Sequence, residues 1–144
     1  MRFRIVSVGR IRDRHIALKI EEYLRRVRRE VLCEHTIVRD SNPHTEGRRI
    51  LSTLAASPRS RTFALGEEGR SLTSRQFAEL LAESARETVF IVGGPDGLSQ
   101  EVKDAADDVL SLSVMTLPHE LAILVLTEQV FRALTILGNR KYHR

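Results

Sequence analysis

The chain has no tryptophan, one cysteine and three lysines in its 144 residues. Aromatic residues make up only 5%, so any core must be built from Leu, Val, Ile and Ala. A lone cysteine, Cys33, can close no internal disulfide, which fits a reducing, intracellular compartment. The longest unbroken apolar run, Leu121–Leu126, falls far short of the roughly 18 residues of a membrane span. Met1-Arg2-Phe3-Arg4 runs straight into a strand-like pattern without the apolar stretch of a signal peptide. The expectation is a cytoplasmic protein with no membrane association.

What is present is arginine. Lys19, Lys103 and Lys141 are the only lysines among 23 basic residues, and the net charge is +4 with a pI near 9.8. The guanidinium fork matches phosphate geometry, so a polyanionic partner is indicated, although net charge says nothing about fold. Charged residues are 29% and apolar residues 42%, which suits one folded domain, residues 1–144, rather than a disordered chain.

Periodicity places strands at Phe3–Val8, Cys33–Val38, Thr62–Leu65, Val89–Val92 and Val109–Ser113. Helices are expected over His15–Arg29 after Asp13, Glu46–Ala56, Thr73–Arg86 and about two turns from Ser99. A last helix starts at Pro118 and ends near Leu137. Gly66–Ser71 reads as a loop. Alternating strands and helices mean an α/β fold with a mainly parallel sheet. The final helix is apolar most of the way round, through Leu121–Leu126, Val130, Phe131, Leu134, Ile136 and Leu137. Such a helix must be covered all round, either by a central position in its own chain or by a symmetric second copy; the homodimer is the expectation.

Three segments carry candidate chemistry. Val92-Gly93-Gly94-Pro95-Asp96-Gly97 follows a buried strand, where α/β sheets bind ligands, and its paired glycines admit close approach to the backbone. Taken alone it also reads as a plain tight turn, and it is neither a Walker loop nor a dinucleotide fingerprint. Leu112-Ser113-Val114-Met115-Thr116-Leu117-Pro118-His119 mixes apolar side chains with free backbone groups, which suits an adenine ring or simply joins strand to helix. His119-Glu120 resembles the start of a zinc motif, but position 123 is Ile, so no second ligand follows and no metal is expected. A neutral imidazole there can accept a proton or a hydrogen bond, or serve only the helix start. Arg140-Lys141-Tyr142-His143-Arg144 surrounds a stackable ring with cations, a pattern for RNA bases or for a solubilising tail.

These segments, with Val6-Ser7-Val8-Gly9, Glu22-Tyr23-Leu24-Arg25-Arg26, Glu46-Gly47-Arg48-Arg49-Ile50-Leu51, Leu65, Gly69, Glu128-Gln129 and Phe131-Arg132-Ala133, resemble the RlmH family (ribosomal RNA large subunit methyltransferase H). That family belongs to the SPOUT α/β-knot methyltransferases. The resemblance spans nearly the whole chain. It implies a C-terminal deep trefoil knot, a homodimer, and S-adenosyl-L-methionine as methyl donor. It implies methylation of N3 of a pseudouridine in helix 69 of 23S rRNA within the assembled ribosome. It would place Leu65, Gly93, Leu112, Ser113, Val114, Met115, Thr116 and Leu117 around the cofactor. His119, Arg132, Tyr142, His143 and Arg144 would form the catalytic, RNA-facing set. The chain departs from the family pattern at Gly66, Ile123, Phe131 and Lys141; Gly66 removes a possible ribose hydroxyl acceptor and Ile123 a possible phosphate or interface contact. The competing readings are a catalytically idle ribosome-binding relative, a methyltransferase of the same fold acting on a tRNA ribose, and an unrelated nucleotide-binding enzyme. The intact glycine and Met115–His119 segments, the short chain and the missing phosphate loops argue against them in turn.

Overall fold

A computed structural model describes residues Met1–Arg144. Five strands, β1 (Arg2–Val8), β2 (Leu32–Val38), β3 (Arg61–Ser71), β4 (Glu87–Val92) and β5 (Asp108–Ser111), form one sheet in the order β2-β1-β4-β3-β5. Every pairing is parallel. The helices are α1 (Arg14–Arg28), α2 (Pro43–Ala55), α3 (Ser74–Ala82), α4 (Gln100–Ala105) and α5 (His119–Leu137).

The two faces of the sheet follow from strand alternation. Phe3, Ile5, Phe63, Phe90 and Val92 point to one side, where Leu24 of α1, Leu81 of α3 and Leu126 of α5 meet them. Val6, Val8, Val89 and Ile91 point to the other, against Ile50 of α2 and Val102 of α4. The central strand β4 is thus covered on both faces, as its unbroken apolar sequence requires. Cys33 joins the first of these clusters, and burial pushes its thiol up to about 11, so it behaves as a small core residue. No helix is long and apolar enough to cross a membrane.

Caps set the helix starts. The Asp13 carboxylate accepts from the backbone N–H of His15 and Ile16 at 2.9 and 3.1 Å, and Thr73 with Gln76 closes a reciprocal capping box. Two helix boundaries differ from expectation by three residues or more. Asn42 caps α2, so that helix begins at Pro43 rather than Glu46; the cap and a proline in the first turn outweigh the later start of the apolar pattern. α3 ends at Ala82, short of Arg86.

The larger correction concerns Gly66–Ser71, expected as a loop. β3 continues to Ser71, but Leu65 and Arg70 both pair opposite Leu110 of β5, so residues 66–69 are pushed out between two strand pieces. Gly69 makes this bulge possible. A Cβ there would lie 2.6 Å from the Val109 carbonyl oxygen, too close for any side chain.

α5 is the middle helix of its layer, flanked by α1 and α3. Ile123, Leu126, Val130, Ala133 and Leu134 are buried, which accounts for much of its apolar circumference within one chain. Ile123 is fully buried and packs in the core.

Candidate functional site

The bulge of β3 and the carboxyl ends of β4 and β5 converge on a cleft of about 370 Å³, within the ordinary span of roughly 300–1,000 Å³ for small-molecule sites. The chain leaves β3 for α3 on one face and β4 for α4 on the other, and such a switch opens a crevice at the strand ends. Three segments wall it: the bulge after Leu65, the turn Gly93–Leu98, and the stretch from Leu112 to His119.

Each wall has a local cause. The turn is pinned by the Gly97 N–H donating to the Gly94 carbonyl at 3.0 Å, with Gly97 at φ +78°. A Cβ on Gly93 would lie 2.8 Å from the Gly97 carbonyl carbon and 2.9 Å from the Leu98 nitrogen; the cradle exists because that position has no side chain. In the third wall the Ser113 hydroxyl accepts from the Met115 N–H at 3.0 Å. The Thr116 hydroxyl donates to the Glu67 carboxylate at 2.6 Å, joining this wall to the bulge.

Of the residues expected around the cofactor, Leu65, Gly93, Leu112, Ser113, Met115, Thr116 and Leu117 line the cleft, together with His119. Val114 does not; it stands 79% exposed on the outside of the loop. Met115 lines the cleft yet is 75% exposed, so the mouth is an open apolar edge.

The acidic groups were not legible from the sequence as a site. Glu67 and Glu68 both reach the cleft from the bulge. Lys103 of α4 pairs with Glu68 at 2.7 Å and holds its carboxyl below the usual range. Gly66 therefore does not leave this wall without a carboxylate. Glu120, part of the broken zinc motif, accepts from the backbone N–H of Arg12 and Asp13, both at 3.0 Å. It ties the start of α5 to the loop after β1.

Arg132, Tyr142 and His143 gather at the other end of α5. Glu128 organises them: its carboxylate accepts from Arg132 Nε at 2.9 Å and from the Tyr142 hydroxyl at 3.2 Å. The Tyr23 hydroxyl lies 3.4 Å from that of Tyr142. Burial, then the hydrogen bond with Tyr23 and the charge of Glu128, raise the Tyr142 hydroxyl well above its usual range, so it stays a donor. The Arg132 guanidinium lies 4.8 Å from the centre of the Tyr142 ring. Phe131 meets the same ring edge-on at 4.8 Å.

Arg132 Nη1 is 3.2 Å from His143 Nδ1. Arginine has donors only, so Nδ1 accepts. His119, in contrast, lines the cleft. Arg144 is exposed at the chain end. His119 and Arg132 are 13 positions apart on one helix, about 20 Å at ~1.5 Å per residue. The expected catalytic set is thus split between two places in the chain.

A parallel α/β sheet with a glycine-cradled cleft at its switch point defines a small-molecule-binding α/β protein. The family model described as "Predicted SPOUT methyltransferase" matches residues 1–143, and the chain belongs to that family. Among curated relatives, a "Ribosomal RNA large subunit methyltransferase H" of Anaeromyxobacter sp. is 43% identical over the full length of both chains. The protein so named from Thermus thermophilus is 40% identical, covering 100% of this chain and 99% of its own. One from Prochlorococcus marinus is 43% identical, covering 99% and 92%. A crystal structure of an RNA methyltransferase candidate from Bacillus anthracis superposes with a TM-score of 0.63 at 13% identity, covering 99% of each chain, and shows the fold alone.

Proposed function

We propose that this protein transfers a methyl group from S-adenosyl-L-methionine to N3 of a pseudouridine in helix 69 of 23S rRNA, acting on the assembled ribosome. The observation that carries the reading is the cleft between the β3 bulge and the ends of β4 and β5, built from the segments expected to hold the donor. It occurs in a chain whose full-length relatives are named for the large-subunit ribosomal RNA.

Leu65, Leu112, Met115 and Leu117 offer an apolar slot, and Gly93 leaves room for close backbone approach. Glu67 is the carboxylate placed to accept from a ribose hydroxyl. The donor's sulfonium methyl is electrophilic when bound. The protein's task is then alignment and removal of the imide proton from N3. His119 is the group placed to take that proton, because it stands at the cleft while Nδ1 of His143 already faces Arg132. Arg132 and Arg144 supply positive charge for the deprotonated base, and Tyr142 a ring to stack on.

We also propose a homodimer. The roughly 20 Å between His119 and Arg132 prevents one chain from placing both on one base. Antiparallel pairing of α5 with its copy brings the start of one helix to the end of the other, as a two-fold axis allows. Leu121, Leu124 and Val125 are only half-buried within the chain and fit such a contact. The C-terminal trefoil knot belongs to the same proposal. Its support is the passage of residues 112–119 beside the earlier 66–68 and 93–98 segments before α5 begins.

The test is methyl transfer to ribosomes with and without the pseudouridine, followed by mapping of the modified base. Transfer to a tRNA ribose, or cofactor binding without any transfer, would overturn the reading.

A further inference from the structure

Arg48 and Arg49 stand in a segment that the cleft does not use. α2 shows two sides. Gly47 and Ile50 are buried, and Gly47 abuts Ser99, whose hydroxyl oxygen lies 2.5 Å from where a Cβ would be. His44, Thr45, Arg48, Arg49 and Ser52 recur at helical spacing on the opposite side. With Arg39 at the end of β2 they line a groove of about 580 Å³.

The groove is cationic without compensation. No carboxylate lines it. The chain has 11 ion pairs, and none involves Arg39, Arg48 or Arg49. The one acidic residue of α2, Glu46, is buried and accepts from the Ser41 N–H at 2.8 Å, facing away. Arg49 is held in place by donating to the Arg39 carbonyl at 2.8 Å, which leaves its remaining N–H groups free. The Thr53 hydroxyl is spent on the Arg49 carbonyl at 3.0 Å, whereas those of Thr45 and Ser52 have no protein partner among the side-chain bonds. A row of guanidinium forks interleaved with hydroxyls, without carboxylates and with Val38 as the one hydrophobic residue in the lining, matches successive phosphates better than it matches a peptide or a small apolar ligand.

We infer that the groove between α2 and the end of β2 is a phosphate-binding surface, which grips the RNA backbone away from the methylated base. The inference rests on the reading of an RNA substrate above. α2 starts at the carboxyl edge of the sheet, with the buried Glu46 carboxylate 3.6 Å from a Cβ built on Gly94 of the cleft turn. Backbone flanking a base in the cleft can therefore continue around this helix. The groove adds affinity and orientation, not chemistry.

The experiment is RNA binding by full-length protein, using a fluorescent RNA stem–loop titrated at several salt concentrations. The variants are Arg39→Gln/Arg48→Gln, each single substitution, and Arg75→Gln on the far helix α3 as a control matched in charge to each single variant. The double variant is expected to bind about tenfold more weakly, with the log affinity against log salt slope shallower by about 0.7–0.9 for each phosphate that is no longer neutralised. Each single variant should show part of that change, so the test survives if the double variant folds poorly. Calorimetric binding of S-adenosyl-L-methionine should be unchanged. An unchanged slope, or an equal weakening in Arg75→Gln, overturns the inference. So does loss of polyglutamate binding with RNA binding intact, which would mark an acidic-protein surface. Methylation of ribosomes by the unaltered protein is measured in parallel. Its absence would defeat the proposed function while the RNA slopes still judged the groove.

Discussion

Gly93 and Gly97 pass so closely that a methyl group on Gly93 would lie 2.8 Å from the Gly97 carbonyl carbon. The contact is backbone against backbone, so no rotamer change relieves it. The turn that walls the cleft is therefore tied to glycine at this position.

Gly93→Ala is expected to open the turn and weaken S-adenosyl-L-methionine binding at least tenfold, about 1.4 kcal/mol. Overpacking costs of order 1–3 kcal/mol, and calorimetric titration with a melting curve separates the two effects. Full cofactor affinity in a folded variant would refute the assignment of this turn.

Tyr142→Phe removes the donor to Glu128 and the partner of Tyr23 but keeps the ring. Loss of a hydrogen bond to a charged group costs about 1.5–3 kcal/mol, here reduced because the site is partly solvated. Methyl transfer should fall about tenfold while cofactor affinity holds, since Tyr142 is not among the residues that line the cleft and the substitution keeps its ring. Equal losses in both would mean that Tyr142 supports cofactor binding as well as transfer.

Heterodimers of a His119→Ala subunit with a subunit truncated before Tyr142 test the shared site. One of the two sites in such a pair keeps both an intact cleft and an intact tail. Single-turnover transfer should recover to about half that of the unaltered dimer, a fraction set by the site count of a two-fold pair. Neither homodimer should be active; an inactive heterodimer that still binds cofactor would count against the composite arrangement.

His35 provides a pH dependence. Its Nε2 lies 2.7 Å from the Ser7 hydroxyl, and burial first, then the nearby Arg28 charge, lower its pKa from the usual 6.5. The unfolded chain then binds a proton that the folded chain resists. Stability is complete above the unfolded value and declines as pH falls below it. The melting temperature should drop as pH falls below the ordinary imidazole value of 6.5, and less so in His35→Gln; identical profiles would remove His35 as the cause.

Much of this protein is written locally. The β-branched alternation of β1, the Asp13 and Thr73 caps and the unbroken apolar run of β4 are short-range signals, so strands, helices and a parallel α/β sheet follow from sequence alone. The glycine turn and the Leu112–His119 stretch are legible for the same reason, being contiguous. Other features depend on residues distant in sequence. Gly69 faces Val109, Thr116 meets Glu67, and Glu120 holds the loop at Arg12 and Asp13. Side chains on one helix have fixed spacing, which separates His119 from Arg132, but only the packed fold shows which cleft or tail each one meets. The sequence by itself determined the elements, the arginine excess and the segments that carry chemistry. The tertiary structure decided that residues 66–68 wall the cleft, that Ile123 is core, and that Glu128 organises the tail. Strand register and helix packing set those contacts, and neither is encoded in any single stretch of chain.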